Sequence, residues 1–245
     1  MNELTGAERV AARSRAVTIC ALAALTLLAW TWLLRGAGMD AMPMDRDAGR
    51  FLLVASMWWV MMIAMMLPSA SPVILLYGRV NRHHGQPPPT ASFLAAYLAV
   101  WLGFALLAAT LQQLLEQADL VSTMAMASRR PWLSGVFLIA AGVYQWSPLK
   151  DACLARCRTP TQFLTLHYRP GRAGAWRLGL LHGAYCVGCC WLLMILLFVG
   201  GVMNLAWITA LTLLVAGEKL LPGGQWISRV SGTGLVLWGA AILVV

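Results

Sequence analysis

Long apolar runs place the strongest constraint on this chain. Stretches of about 20 residues recur along it, and at ~1.5 Å rise per residue each matches the ~30 Å hydrocarbon core of a bilayer. They are continuous and lack the alternation that a membrane β-strand requires. The expected fold is therefore all-α, a polytopic transmembrane helical bundle of about seven spans. Those spans are Ala16 to Leu34, Phe51 to Leu67 with an extension toward Tyr77, Ala91 to Leu115, Pro131 to Trp146, Leu178 to Val199, Val202 to Leu220, and Ser228 to Val245. With 60% hydrophobic and 11% charged residues, an ordinary soluble domain is excluded. Residues 1–15 form a basic cytoplasmic arm, and residues 16–245 a single transmembrane helical domain.

The formal net charge of +9 invites a nucleic-acid reading, but its placement argues for topology. Alternating the spans from a cytoplasmic N-terminus leaves only Arg35, Arg46, Arg50, Arg129 and Arg130 outside. That is the positive-inside bias, so the bilayer and its anionic headgroups are the partners implied, with no nucleic acid. The first run ends Trp30-Thr31-Trp32-Leu33-Leu34-Arg35 without a small-residue cleavage site, and is read as a retained span.

One span carries groups that lipid cannot accommodate. Leu178 to Gly201 reads LGLLHGAYCVGCCWLLMILLFVGG and holds His182, Cys186, Cys189 and Cys190. Ligand-capable groups at membrane depth face a partner, a cavity or an ion. At about 100° per residue, His182, Cys186 and Cys189 fall within an arc of roughly 60°, with Cys190 one turn beyond Cys186. His182 and Cys189 are about 10 Å apart along the axis, too far to share one ion, so further donors must come from another helix. Gly183 and Gly188 let a neighbour approach closely.

Soft donors recur elsewhere. Met57, Met61 and Met65 repeat at helical spacing in the second span, with Met62 and Met66 beside them. Such a stripe is more often core packing than a metal site. Entering from outside, Met61 is expected at the depth of Cys189 and Cys190, and Pro68 and Pro72 are expected to break or kink the helix beyond it. The outer loop contributes Met39, Met42 and Met44 among Asp40, Asp45 and Asp47, and Met124 and Met126 lie in another outer loop. Asp151 to Arg158 is expected as a short interfacial helix with Cys153 and Cys157 on one face. Beside Lys150, Arg156 and Arg158, those thiols are expected to titrate below the usual range. Glu218 and Lys219 end the sixth span, as a helix-end anchor with a snorkelling lysine or with Glu218 as an oxygen ligand. Cys20 is read as a packing residue, and His83 and His84 as loop residues. No nucleotide-binding Gly-rich loop, nucleophile elbow or internal repeat is present.

Three blocks, MWWVMMIAMMLPSASP, YQWSPLKDACLARCRTP, and LHGAYCVGCCWLLMILLFVGGVMNLAW followed by EKLLP, resemble a bacterial family of predicted metal-binding integral membrane proteins, a domain of unknown function. The likeness runs from about Met57 to Pro222. It implies a multi-pass protein of the bacterial inner (plasma) membrane that binds metal, and it implies no activity. The residues in those blocks are Met61, Met62, Met65, Met66, Pro68, Lys150, Cys153, Cys157, His182, Cys186, Cys189, Cys190, Met203, Asn204, Glu218 and Lys219.

The function read from these residues is membrane metal binding, with Cu(I) handling by a carrier or metal-insertion factor foremost and zinc as the alternative metal. Candidate metal residues are Cys186, Cys189, Cys190, His182, Cys153, Cys157, Met61, Met57, Met65 and Glu218. No residue is assigned a catalytic role, and the reading leans away from an enzyme. Two other readings stay open: a thiol oxidoreductase using Cys186 and Cys189 as a C-x-x-C couple, and a metal-bearing subunit working with a membrane or periplasmic protein partner or as a homo-oligomer.

Overall fold

A computed structural model describes residues 6–36, 48–83, 89–123 and 126–244, with the side chains of 6–14, 48 and 82–83 left out. Met39, Asp40, Met42, Met44, Asp45, Asp47, His84 and Met124 lie outside the described residues, as does the His83 side chain. The described chain is all-helical. In order, α1 is Gly6–Leu34, α2 Ala48–His83, α3 Thr90–Gln117, α4 Pro131–Tyr144, α5 Pro148–Arg158, α6 Pro160–His167, α7 Gly171–Ile195, α8 Leu197–Gly200, α9 Leu205–Leu220 and α10 Gly224–Val244.

Local chemistry explains where these helices begin and end. Proline occupies the first position of α4, α5 and α6, where a missing N–H costs nothing and φ is already helical. Ser147 caps α5 by accepting from the Lys150 N–H, and Asn204 caps α9 by accepting from the Trp207 N–H. Gly201 takes a φ of 92° in the turn between α8 and α9, a conformation that side chains disfavour.

Two sequence expectations change. Among the described residues five helical segments, not seven, are long and apolar enough to cross a membrane: Arg15–Leu34, Gly49–Asn81, Thr90–Gln117, Gly171–Gly200 and Gly224–Val244. The expected fourth and sixth spans fold as α4 with 14 residues and α9 with 16, about 21 and 24 Å long. The apolar runs continue through Gln145-Trp146 and Val202-Met203, which form turns. Nor do Pro68 and Pro72 break α2, which runs through both. Ser71 Oγ donates to the Pro68 carbonyl at 2.8 Å, which Pro72 leaves without its usual N–H donor.

α7 is the hub of the bundle. It packs against α3, α4, α5, α8 and α9, while α2 lies against α1, α3, α6 and α9. α4 and α10 form a separate close pair, in which a Cβ added at Gly142 would lie 2.7 Å from the Gly232 carbonyl oxygen. The outer surface is apolar, with Leu27, Leu28, Leu107, Leu213, Trp226 and Leu237 exposed. The interior holds the polar exceptions Asn81, Gln112, Gln145, Lys150, His182, Glu218 and Lys219.

Candidate metal centre

The centre is built on α7 and closed by α2, α3, α5 and α9. His182, Cys186, Cys189 and Cys190 are all buried, although the helix has no single polar face. Small residues make the closure. A Cβ at Gly183 would meet the Val100 side chain of α3 at 2.9 Å, and one at Gly188 would meet Cys153 Sγ at 2.8 Å. Gly188 thus admits the α5 thiols to the α7 cluster.

The sulfurs are gathered in one cluster. The Cys189 and Cys190 thiols donate to the Cys186 carbonyl at 3.1 and 2.9 Å, and the Cys153 and Cys157 thiols lie beside Cys189. Cys190 Sγ also lies 3.8 Å from Met66 Sδ of α2. At the deep end, Lys219 Nζ of α9 donates to Cys186 Sγ at 3.0 Å and reaches Met66 Sδ at 3.7 Å and Ser69 Oγ at 3.5 Å. The Tyr97 hydroxyl of α3 lies 3.2 Å from Cys186 Sγ and 3.3 Å from the Met66 carbonyl. Two thiols and a thioether therefore converge from two helices, with one ammonium among them.

The donor types decide what such a centre can hold. Two or three soft sulfurs suit Cu(I), which accepts low coordination numbers. Among the described residues, no group of three or more His, Cys, Asp or Glu is placed to hold one metal ion, so a tetrahedral Cys and His site of the zinc kind is not formed.

The comparison with known families bears on this chemistry. A family model described as a copper chaperone, PpoB2, matches residues 55–242. The chain belongs to this copper chaperone family. No curated protein and no solved structure matches it significantly. The match spans the α2 methionines, both α5 cysteines and every α7 thiol. Copper handling is thereby established at the family level, and the earlier likeness to a metal-binding family narrows to copper.

Seen as a copper chaperone, the molecule sorts the sequence candidates. Cys186, Cys189, Cys190, Cys153 and Cys157 come together, the last two half-buried. Met57, Met61 and Met65 are buried in the core, yet the methionine whose sulfur reaches the thiols is Met66. Cys20 is exposed on α1 and fills no interior space. Glu218 faces α5: Lys150 Nζ donates to its Oε2 at 2.7 Å and Gln145 Nε2 to its Oε1 at 2.8 Å. His182 is buried among Phe93, Tyr97 and Phe163, and its Nδ1 has no hydrogen-bond partner among the described residues.

The thiols of α5 reverse an expectation. Both titrate above the usual thiol range rather than below it. For Cys157 the leading cause is its hydrogen bond to Cys189, followed by burial; for Cys153 it is burial, followed by the nearby Cys189 sulfur. Two of the three cations expected to lower them are engaged elsewhere. Lys150 is bound to Glu218 and to Gln145 Oε1, and Arg158 donates to the Leu221 carbonyl at 2.9 Å.

Lys219 is the residue the sequence most misplaced. Its head does not snorkel to water, since the residue is 7% exposed and its Nζ sits among sulfurs. Tyr97 and Ser69 were likewise not anticipated. No motif marks Tyr97; Ser69, between two prolines, was at least a polar residue inside an apolar run.

Proposed function

We propose that this member of the copper chaperone family is an integral membrane protein that receives Cu(I) at the α5 thiols and holds it at Cys186, Cys190 and Met66. The observation that carries the reading is the run of neighbouring sulfurs: Cys157 beside Cys189, the Cys189 and Cys190 thiols both on the Cys186 carbonyl, and Cys190 Sγ 3.8 Å from Met66 Sδ. Copper moves along it by ligand exchange: one Cu–S bond forms as another breaks, and the departing sulfur takes up the proton released by the incoming thiol. Low-coordinate thiolate and thioether sites permit such exchange because no step strips the ion of all its donors. A cluster of this kind delivers cargo and needs no catalytic group.

Membrane placement is supported by the inverted pattern of the fold. Large apolar side chains cover the outside, while ion-paired and thiol groups lie within. Five helical segments long enough to cross agree with it. Copper is favoured over zinc because the gathered donors are sulfur and few.

The direct test is metal retention. Full-length protein purified anaerobically in detergent and loaded with Cu(I) keeps about one equivalent after desalting, and the Cys186→Ser, Cys190→Ser double variant keeps almost none. Equal retention by both proteins, or none by either, overturns the assignment.

A further inference from the structure

The proposed copper site leaves one buried charge to be explained. Among the described residues no carboxylate lies within ion-pair distance of Lys219 Nζ; the three ion pairs present are Arg50–Glu116, Arg129–Asp119 and Lys150–Glu218. The acid adjacent in sequence, Glu218, has both carboxylate oxygens occupied from α4 and α5. Successive residues on a helix point about 100° apart, so Glu218 and Lys219 serve different neighbours. What faces the ammonium is Cys186 Sγ at 3.0 Å, Ser69 Oγ at 3.5 Å and Met66 Sδ at 3.7 Å. A hydroxyl and a thioether are neutral, which leaves the thiols to supply the opposing charge. A buried cation without any counter-charge is strongly disfavoured.

We infer that Lys219 is the specificity-determining residue of the site, favouring monovalent Cu(I) over divalent Zn(II) by holding one fixed positive charge beside the two metal-binding thiols. The inference rests on Cys186 and Cys190 being the ligands. Binding either ion expels the protons still on the two thiols, leaving two negative charges. With Cu(I) and the ammonium the buried set sums to zero. With Zn(II) it sums to one positive charge, which the apolar surroundings and the occupied Glu218 do not relieve. Met66 adds a donor without changing this count, as a thioether is uncharged. At separations of a few ångströms in a protein interior, one unit charge is ample for at least a tenfold discrimination.

The test compares Lys219→Gln, which keeps an N–H donor for Cys186 and removes the charge, with Lys219→Arg, which keeps the charge. Full-length reduced protein in detergent is titrated with Cu(I) and with Zn(II) against competing chelators. The Arg variant retains the parent's Cu(I) to Zn(II) affinity ratio within a few-fold, and the Gln variant lowers it at least about tenfold, chiefly through stronger zinc binding. A Gln variant that binds both metals with the parent's ratio overturns the inference. Lys219→Met repeats the charge removal where the Gln variant is not monodisperse. The Cys186→Ser, Cys190→Ser protein separates the two levels: Cu(I) retention there refutes the ligand assignment, whatever Lys219 does.

Discussion

Two lysines are buried within this bundle, and their surroundings differ in kind. Lys150 is held by the Glu218 carboxylate and the Gln145 amide, in a knot that joins α4, α5 and α9 and extends to Ser231 of α10. Its charge is matched and its hydrogen bonds are met. Lys219, one position after Glu218, lies instead among the sulfurs of α2 and α7, with no acid within ion-pair distance among the described residues. A closed ion pair fixes helices relative to one another; an ammonium whose neighbours are the proposed metal-binding thiols leaves a charge for cargo to complete. The two sides of α9 thus divide the work between structure and chemistry.

The comparison breaks most readily at its closed side. Glu218→Gln leaves the Lys150 ammonium buried and unpaired, and lowers stability by about 3–5 kcal/mol, read by thermal or denaturant unfolding in detergent. The fraction that remains folded still retains Cu(I), because the α7 thiols do not depend on Glu218. Unfolding unchanged by this substitution contradicts the structural role of the knot. Gly142→Ala perturbs the same half by packing alone. The new methyl meets the Gly232 carbonyl and the Val236 amide, and costs about 1–3 kcal/mol with copper affinity unaltered.

The other side yields in binding and not in stability. Met66→Leu preserves volume and removes the thioether, and weakens Cu(I) roughly tenfold, about 1.4 kcal/mol, with little change in unfolding. Affinity equal to the parent's removes Met66 from the donor set. The smallest effect concerns Cys157. Its raised titration means less thiolate at a given pH, so alkylation at pH 8 is slower than for a free thiol and quickens only as pH climbs past the raised value. Cys189→Ala deletes the leading cause, and Cys157 then reacts faster at the same pH; unaltered reactivity places Cys157 away from Cys189.

Much of this was legible in the sequence, and the residues that were not share a physical reason. Hydropathy located every long helix, because burial in lipid is a property of composition over about 20 residues. It overran α4 and α9, because turn residues such as Trp146 and Val202 are as apolar as the helices they end. The thiol cluster was visible because cysteine and histidine stand out in an apolar run. Choosing Met66 over Met61 required the offset between two helices. The middle of α2 falls between Met65 and Met66 once the helix is known to continue to His83, which no motif announces. Glu218 and Lys219 read as a neighbouring pair in one dimension. Only the packing of α9 reveals that they turn to opposite partners.

The central claim is that copper sits in a sulfur-only centre between α2 and α7. X-ray absorption at the copper edge, on full-length protein loaded anaerobically with one Cu(I), tests it most directly. The account predicts a first shell of two or three sulfur donors and no nitrogen or oxygen, diminished by Met66→Leu and lost with the paired serine substitutions. A shell led by nitrogen, as His182 would give, or one indifferent to Cys186 and Cys190, contradicts it.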